Sequence, residues 1–365
     1  MRERIFSAIR EAEKLRDAAR YREALKLFKR ALALSRKAGD LDGILDSTLA
    51  MADIQRMTGD FDGAVENYSE ALEACEALGN RITAADCMVG MGLSLRAMGM
   101  WKESVKFIST ARKTYRKEQD EKGVAFSLWA EAGALRVAGR IGKAIGKFNE
   151  SKEIFSSLRF PSGVAYSLCG LGGAHRIAGK YGESMDYYRQ ANEIFTAEKD
   201  TFGRAYSHCG IGNAYRMQRN LRDAMVHFRK ATALYEKIGD LVSYSYTLWS
   251  VANVYKMKGD FASARRHLGK AMGNFRKTKD PRGIIYCAMT LGEIEFLEGK
   301  RKPAEKKIVS ALESAQKHDF ALEALHARSL LRLLQGEPEQ DRRLREAYRK
   351  IGVDAPAPSL PVALP

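Results

Sequence analysis

The sequence predicts an all-α solenoid of about nine antiparallel helical hairpins. Three observations lead there: a self-similarity of 40 residues along nearly the whole chain, small and bulky residues at helical spacing inside each repeat, and glycines at fixed places between them. Ala24, Ala64, Ser104, Ala144, Ser184, Ala224, Ala264 and Ala304 form one column. Ala31, Ala71, Ala111, Ser151, Ala191, Ala231, Ala271 and Ala311 form a second. Small residues seven apart share a helix face and admit a neighbouring helix closely. Between them runs a bulky column, Phe28, Tyr68, Ile108, Phe148, Tyr188, Phe228, Leu268 and Ile308.

Turns recur on the same period. Gly59, Gly99, Gly139, Gly179, Gly259 and Gly299 stand where the first helix of each repeat needs a residue of positive φ to stop, with Arg219 taking that place in the sixth repeat. Asp40, Asp120, Asp200, Asp240 and Asp280 precede the next helix, often with Gly43, Gly123, Gly163, Gly203 or Gly283 three residues on. The second repeat then reads as helices over 43–58 and 61–77, and the pattern continues to about 317 as eight hairpins. Residues 318–353 read as a capping hairpin, with helices over 321–334 and 339–351 about Gly336. Residues 354–365, DAPAPSLPVALP, read as a disordered Pro-rich tail that is otherwise free to dock on another protein or back into the chain's own groove.

Composition agrees. Of eight prolines only Pro161, Pro281 and Pro303 precede residue 337, so most of the chain is free to be helical. Five cysteines without a C-x-x-C pair signal neither a disulfide framework nor zinc, and six histidines offer no H-E-x-x-H pair. No glycine-rich phosphate loop appears, because the glycines fall on the repeat turns. We therefore expect no enzyme, cofactor or metal. The N-terminus lacks an apolar signal region and no run of about 18 apolar residues occurs, so a cytoplasmic protein without membrane insertion is expected. A net charge of +16 and a pI near 9.5 favour an acidic protein segment, nucleic acid or an anionic surface as partner.

The segment Ile211 to Tyr235, IGNAYRMQRNLRDAMVHFRKATALY, resembles the tetratricopeptide repeat family, with Gly212, Tyr215, Ala224, Phe228 and Ala231 at that family's spacing. The 40-residue period and wording such as LGGAHRIAGKY resemble the longer-repeat group that includes Pins-type adaptors and kinesin light chains, and bacterial peptide-sensing regulators use related repeats. The resemblance implies a right-handed superhelix serving as an interaction scaffold. It also implies that Asn213 and Asn253, at the Asn of the GNAY segment, bond the backbone of a bound peptide.

In a solenoid of hairpins the first helices line the concave side, so ligand contacts are sought there. One stripe carries a basic column, Arg16, Arg56, Arg96, Arg136, Arg176, Arg216 and Lys256, beside an aromatic one, Phe126, Tyr166, Tyr206, Tyr246 and Tyr286. Between them Trp129, Cys169, Cys209, Trp249 and Met289 either wall a pocket or pack between hairpins. The cations either form a ladder of forked donors for carboxylates or phosphates, or pair internally with carboxylates such as Asp46 and Asp86. The reading that follows is a scaffold or adaptor holding an acidic peptide or protein segment in a basic, aromatic-lined groove. The alternative is RNA or other single-stranded nucleic acid in the same groove, since cations interleaved with stackable rings also suit that ligand.

Overall fold

The computed structural model describes residues 2–336, 342–354 and 360–364. Among them eighteen helices follow one another: α1 (Arg2–Asp17), α2 (Tyr21–Ala38), α3 (Leu41–Thr58), α4 (Phe61–Leu78), α5 (Arg81–Ala97), α6 (Trp101–Lys117), α7 (Glu121–Val137), α8 (Ile141–Ser157), α9 (Pro161–Ile177), α10 (Tyr181–Ala197), α11 (Thr201–Met217), α12 (Leu221–Ile238), α13 (Leu241–Met257), α14 (Phe261–Lys277), α15 (Pro281–Leu297), α16 (Arg301–Lys317), α17 (Ala321–Gln335) and α18 (Arg342–Lys350). None of them is long and apolar enough to cross a membrane. The fold is all-α, a succession of antiparallel hairpins.

The punctuation is finer than the 40-residue repeat. From Ala19 to Asp319 every twentieth residue has positive φ, whether glycine, as at Gly59, Gly99 and Gly179, or a residue with a side chain, as at Gln119, Arg159, Lys199 and Lys279. Arg219, in place of glycine, takes φ 61° all the same. Restarts are capped in turn: Asp40, Asp60, Asp120, Asp200, Asp260 and Asp280 each accept the backbone N–H three residues on. The glycines at that third position have a second cause. A Cβ on Gly123, Gly163, Gly203 or Gly283 would lie 2.2–2.5 Å from the ring of Tyr115, Phe155, Phe195 or Phe275, eight residues earlier. Each aromatic ring closes one hairpin onto the first turn of the next.

The chain divides into two compact units, Met1–Glu131 with Ile238–Asp240, and Ala132–Lys237 with Leu241–Pro365. In the first, α1 pairs with α2, α3 with α4 and α5 with α6, and first helices also meet one another, α1 with α3 and α3 with α5. Its cores contain Phe28, Tyr68 and Ile108 between the small-residue columns. In the second unit α9 pairs with α10, α13 with α14 and α15 with α16, while α9, α11, α13, α15 and α17 touch in succession. First helices are thus flanked by first helices, and α9 and α13 are buried over most of their circumference. Second helices bury a single stripe, such as Ala224, Phe228, Ala231 and Tyr235 of α12.

The end of the second unit does more than cover the last hairpin. Leu322 and Leu325 of α17, Tyr348 of α18 and Val353 share a core with Ile141, Ala174 and Ile177 of α8 and α9. The reading of 354–365 as a disordered tail is corrected where it can be tested. Residues 355–359 and 365 lie outside the described residues, but Leu360–Leu364 is packed in the second unit, with Val362 2% and Leu364 1% exposed. Its aliphatic side chains find apolar cover and its backbone finds buried charged partners, so the interleaved prolines do not leave it solvated.

Two outcomes follow. Gly259 has φ 78° and open space where a Cβ would stand, so Gly259→Ala should cost roughly 1 kcal/mol through backbone strain alone, read by denaturant unfolding. His326 is fully buried on α17 with Nδ1 2.9 Å from the Tyr348 hydroxyl, and burial lowers its pKa from 6.5 to about 4. As pH falls below 6.5 the unfolded chain takes up this proton before the folded one. His326 should therefore withdraw about 2 kcal/mol of stability between pH 6.5 and pH 5. Melting wild type and His326→Gln across that range checks it, with the variant showing the shallower slope.

Candidate functional site

The basic column does not share one environment. In the first unit Arg56 donates to the Tyr68 hydroxyl at 3.0 Å and meets Asp53 at 3.5 Å. Arg96 is half-buried on α5. Asp86, considered as an arginine partner, accepts from the Tyr115 hydroxyl at 2.6 Å. Phe126 is exposed and stacks on Trp129, centroids 5.7 Å apart.

In the second unit the same register goes inward. Arg136 lies over Gly173, where a Cβ would come within 2.3 Å of its guanidinium, and Arg176 is half-buried on α9. The Nε atoms of both have no hydrogen-bond partner among the described residues. Arg216 on α11 and Lys256 on α13 are wholly buried, at 0% and 1% exposure. Lys256 pairs with Glu293 of α15 at 2.6 Å. Among the described residues Arg216 has no such carboxylate: it donates to the Asn213 side-chain oxygen at 3.1 and 3.2 Å, stands 5.5 Å from the Trp249 ring centre, and keeps one terminal nitrogen without a partner. Burial, and next the neighbouring Arg176 charge, push its pKa down to about 9. Burial also lowers Lys256, against the pull of Glu293.

The aromatic column is mostly spent on structure. The Tyr166 hydroxyl donates to Asp200 at 2.7 Å and its ring packs edge-on against Phe195. Tyr246 packs likewise against Phe275. Tyr206 is half-buried beside Phe202. Tyr286 is buried, donates to Glu323 at 2.9 Å and meets Trp249 at 4.9 Å. Trp249 donates to the Thr290 hydroxyl at 3.0 Å. The asparagines differ from the expected peptide-binding geometry. Asn213 and Asn253 turn their NH2 groups to the carbonyls of Cys209 and Trp249, four residues back. Asn213 spends its oxygen on Arg216, and the oxygen of Asn253 has no partner among the described residues. Asn213 thus orients Arg216 from within its own helix.

What the column reaches is the Leu360–Leu364 segment. Glu293 accepts the Val362 N–H, Lys256 donates to the Val362 carbonyl at 2.8 Å, and Arg216 donates to the Leu364 carbonyl at 2.8 Å. Three successive first helices thus each give one charged side chain to the main chain of one short stretch. Charged donors and acceptors make such bonds about twice as strong as neutral ones, and burial of Val362 and Leu364 adds roughly 1.5–3 kcal/mol each. Sequence reasoning found Arg216, Lys256 and Trp249. It did not single out Glu293 or Thr290 as site residues and gave docking of the tail into the groove only as an alternative to disorder, although a lone carboxylate inside the apolar run YCAMTLGEI, one repeat beyond Asn253, was a usable signal.

The tetratricopeptide repeat family matches residues 8–77 and 163–237. These segments are tetratricopeptide repeats. No curated protein sequence matches the chain. Solved structures of similar fold cover nearly the whole chain. A Rap protein complexed with competence and sporulation factor is 13% identical over 94% of this chain and 99% of that one, with a TM-score of 0.59. The Rap conjugation gene regulator of plasmid pLS20, in complex with a Phr peptide, is 10% identical over 95% and 93%, with a TM-score of 0.62. Aspartyl phosphate phosphatase F from Bacillus subtilis is 14% identical over 95% and 92%, with a TM-score of 0.51. At these identities the likeness is one of fold.

The buried pair gives a test of the site's electrostatics. Lys256→Ala leaves Glu293 charged and unpaired and should cost 3–5 kcal/mol, an order-of-magnitude figure of about that size for a broken buried pair. The double variant Lys256→Met, Glu293→Leu removes both charges and should recover most of that loss in equilibrium unfolding.

Proposed function

We propose that this chain is an interaction module that captures an acidic peptide segment of a partner protein on the inner face of its second unit, without chemical turnover. The observation that carries the reading is a set of inward guanidinium groups with donors left over. Among the described residues Arg216 is wholly buried beside Arg176 with no carboxylate of its own, and Arg136, Arg176 and Arg216 each keep an N–H without a partner. A buried unsatisfied donor costs about 1–3 kcal/mol, more when charged, so such a cluster favours a ligand that brings a carboxylate and several carbonyls. Net charge of +16 favours the same class and raises its encounter rate. By their names, one solved structure of similar fold holds a Phr peptide and another a competence and sporulation factor, which supports the reading from outside the chain.

Single-stranded nucleic acid fits less well. The rings of Tyr166 and Tyr246 are covered edge-on by Phe195 and Phe275, which removes faces on which bases would stack.

Binding to immobilised twelve-residue peptides graded in Asp and Glu content, alongside a mixed single-stranded RNA pool, tests the proposal. Retention should rise with carboxylate content, and Arg136→Glu, Arg176→Glu should lower it at least ten-fold with helicity unchanged. Retention indifferent to the double variant, or a preference for RNA with a steep salt dependence, overturns it.

A further inference from the structure

Leu360–Leu364 lies in the second unit as a bound peptide lies in a receptor. Its main chain is met at three points by three different helices: the Val362 N–H by Glu293 of α15, the Val362 carbonyl by Lys256 of α13, and the Leu364 carbonyl by Arg216 of α11. Val362 and Leu364 are buried, while Leu360, Pro361 and Ala363 between and before them are only half-buried. Alternation of this kind is what an extended strand presents to one wall, since residues i and i+2 share a side. The polar groups engaged are backbone groups, which every peptide carries. The burial at 362 and 364 selects side chains.

We infer that Arg216, Lys256 and Glu293 form a main-chain-reading site for a short extended peptide with aliphatic residues at alternate positions, and that Leu360–Leu364 is the chain's own occupant, which a ligand of that class displaces. The inference rests on the peptide-binding reading above and adds to it the conformation of the ligand, its side-chain pattern and an intramolecular competitor. The competitor matters because a tethered segment acts at an effective concentration in the millimolar range. A segment of even modest intrinsic affinity then keeps the site filled, and a free peptide binds with its affinity reduced by the fraction of sites left open. The carboxylate preference proposed for Arg136 and Arg176 is a separate property, because the segment's recorded contacts are with Arg216, Lys256 and Glu293.

The test uses the full-length chain and a full-length variant, Val362→Lys with Leu364→Lys, whose ammonium groups are repelled by Arg216 and Lys256 and expel the segment. The probe is a fluorescein-labelled synthetic peptide, DAPAPSLPVALP, that copies residues 354–365. By fluorescence anisotropy the variant should bind the probe at least ten-fold more tightly than wild type, and adding Lys256→Met to the variant should remove that gain. Circular dichroism checks that each protein keeps its helices, and hydrogen exchange should show weaker protection of α11 and α13 in the variant. Equal affinity of wild type and variant for the probe overturns the inference. So does a folded variant that ignores the probe but still binds the acidic peptides, a result that leaves the peptide-binding reading standing. A variant that retains its helices and binds neither peptide removes both.

Discussion

The constraint on which the rest depends is that each helix from α2 to α16 runs for seventeen or eighteen residues and gives way to a turn holding a left-handed residue, twenty positions after the one before. At 100° per residue, one residue more or less in any helix would turn every later side chain by more than a quarter of the circumference. Because each stop falls on the twentieth residue, position n of one first helix is matched by position n+40 of the next, and columns in the sequence become rows in space. The stop is kept even where glycine is not available. Gln119, Arg159, Lys199, Arg219 and Lys279 all adopt positive φ, at roughly 1–2 kcal/mol each, and the backbone bonds closing each turn, such as Asp120 N–H to the Tyr115 carbonyl, offset the cost.

From equal helices follows the burial of charge. A first helix with first helices on both sides has little surface left for water, and a cation in the shared register is carried inward with its helix. Its fate is then set by what the next repeat offers. Lys256 meets Glu293, and the pair is tolerable because both charges are matched and further bonded. Arg216 meets an amide oxygen, an indole face and a peptide carbonyl. Such contacts satisfy hydrogen bonds without neutralising charge, and Arg176 stands close enough to lower its pKa; this is the physical ground of the proposed acidic ligand.

Much of this was legible in the sequence, for a reason that also marks where legibility ended. The hairpins, their turns and the cation register are local or periodic properties, visible as columns: Gly59 to Gly299, Phe28 to Ile308, Arg56 to Lys256. The place of Asp40, Asp120, Asp200 and Asp280 before the next helix, which the structure adds that they cap, was visible in the same way. Contacts between positions with no periodic relation were not. Nothing in the columns ties Val362 to Glu293, 69 residues away, or Tyr348 to Ile141 and Ile177. The proline-rich composition of 354–365 described the chain's preference in water, whereas the packed segment answers to buried partners supplied by three distant helices. The contacts of the asparagines were hidden from the columns in a related way. Each sits one helical turn above a carbonyl to which its amide turns, and Asn213 has an arginine three residues on that takes its oxygen.

Filling the site from within has a physical logic of its own. Left open, the lining would hold a buried ion pair and a buried guanidinium whose remaining valences face a space too apolar to hydrate them well. A short aliphatic segment that lends two carbonyls and one N–H satisfies those groups and covers the walls. Any ligand therefore enters by exchange, and what counts is the difference between its contacts and those of the segment. Main-chain bonds are the same for both and cancel. The distinguishing terms are the fit of alternate side chains and a carboxylate placed against the spare donors of Arg136, Arg176 and Arg216, which no contact of Leu360–Leu364 engages with a negative charge. On the proposed function, selectivity for an acidic ligand arises less from the basic column as a whole than from the part of it that the resident segment leaves unneutralised.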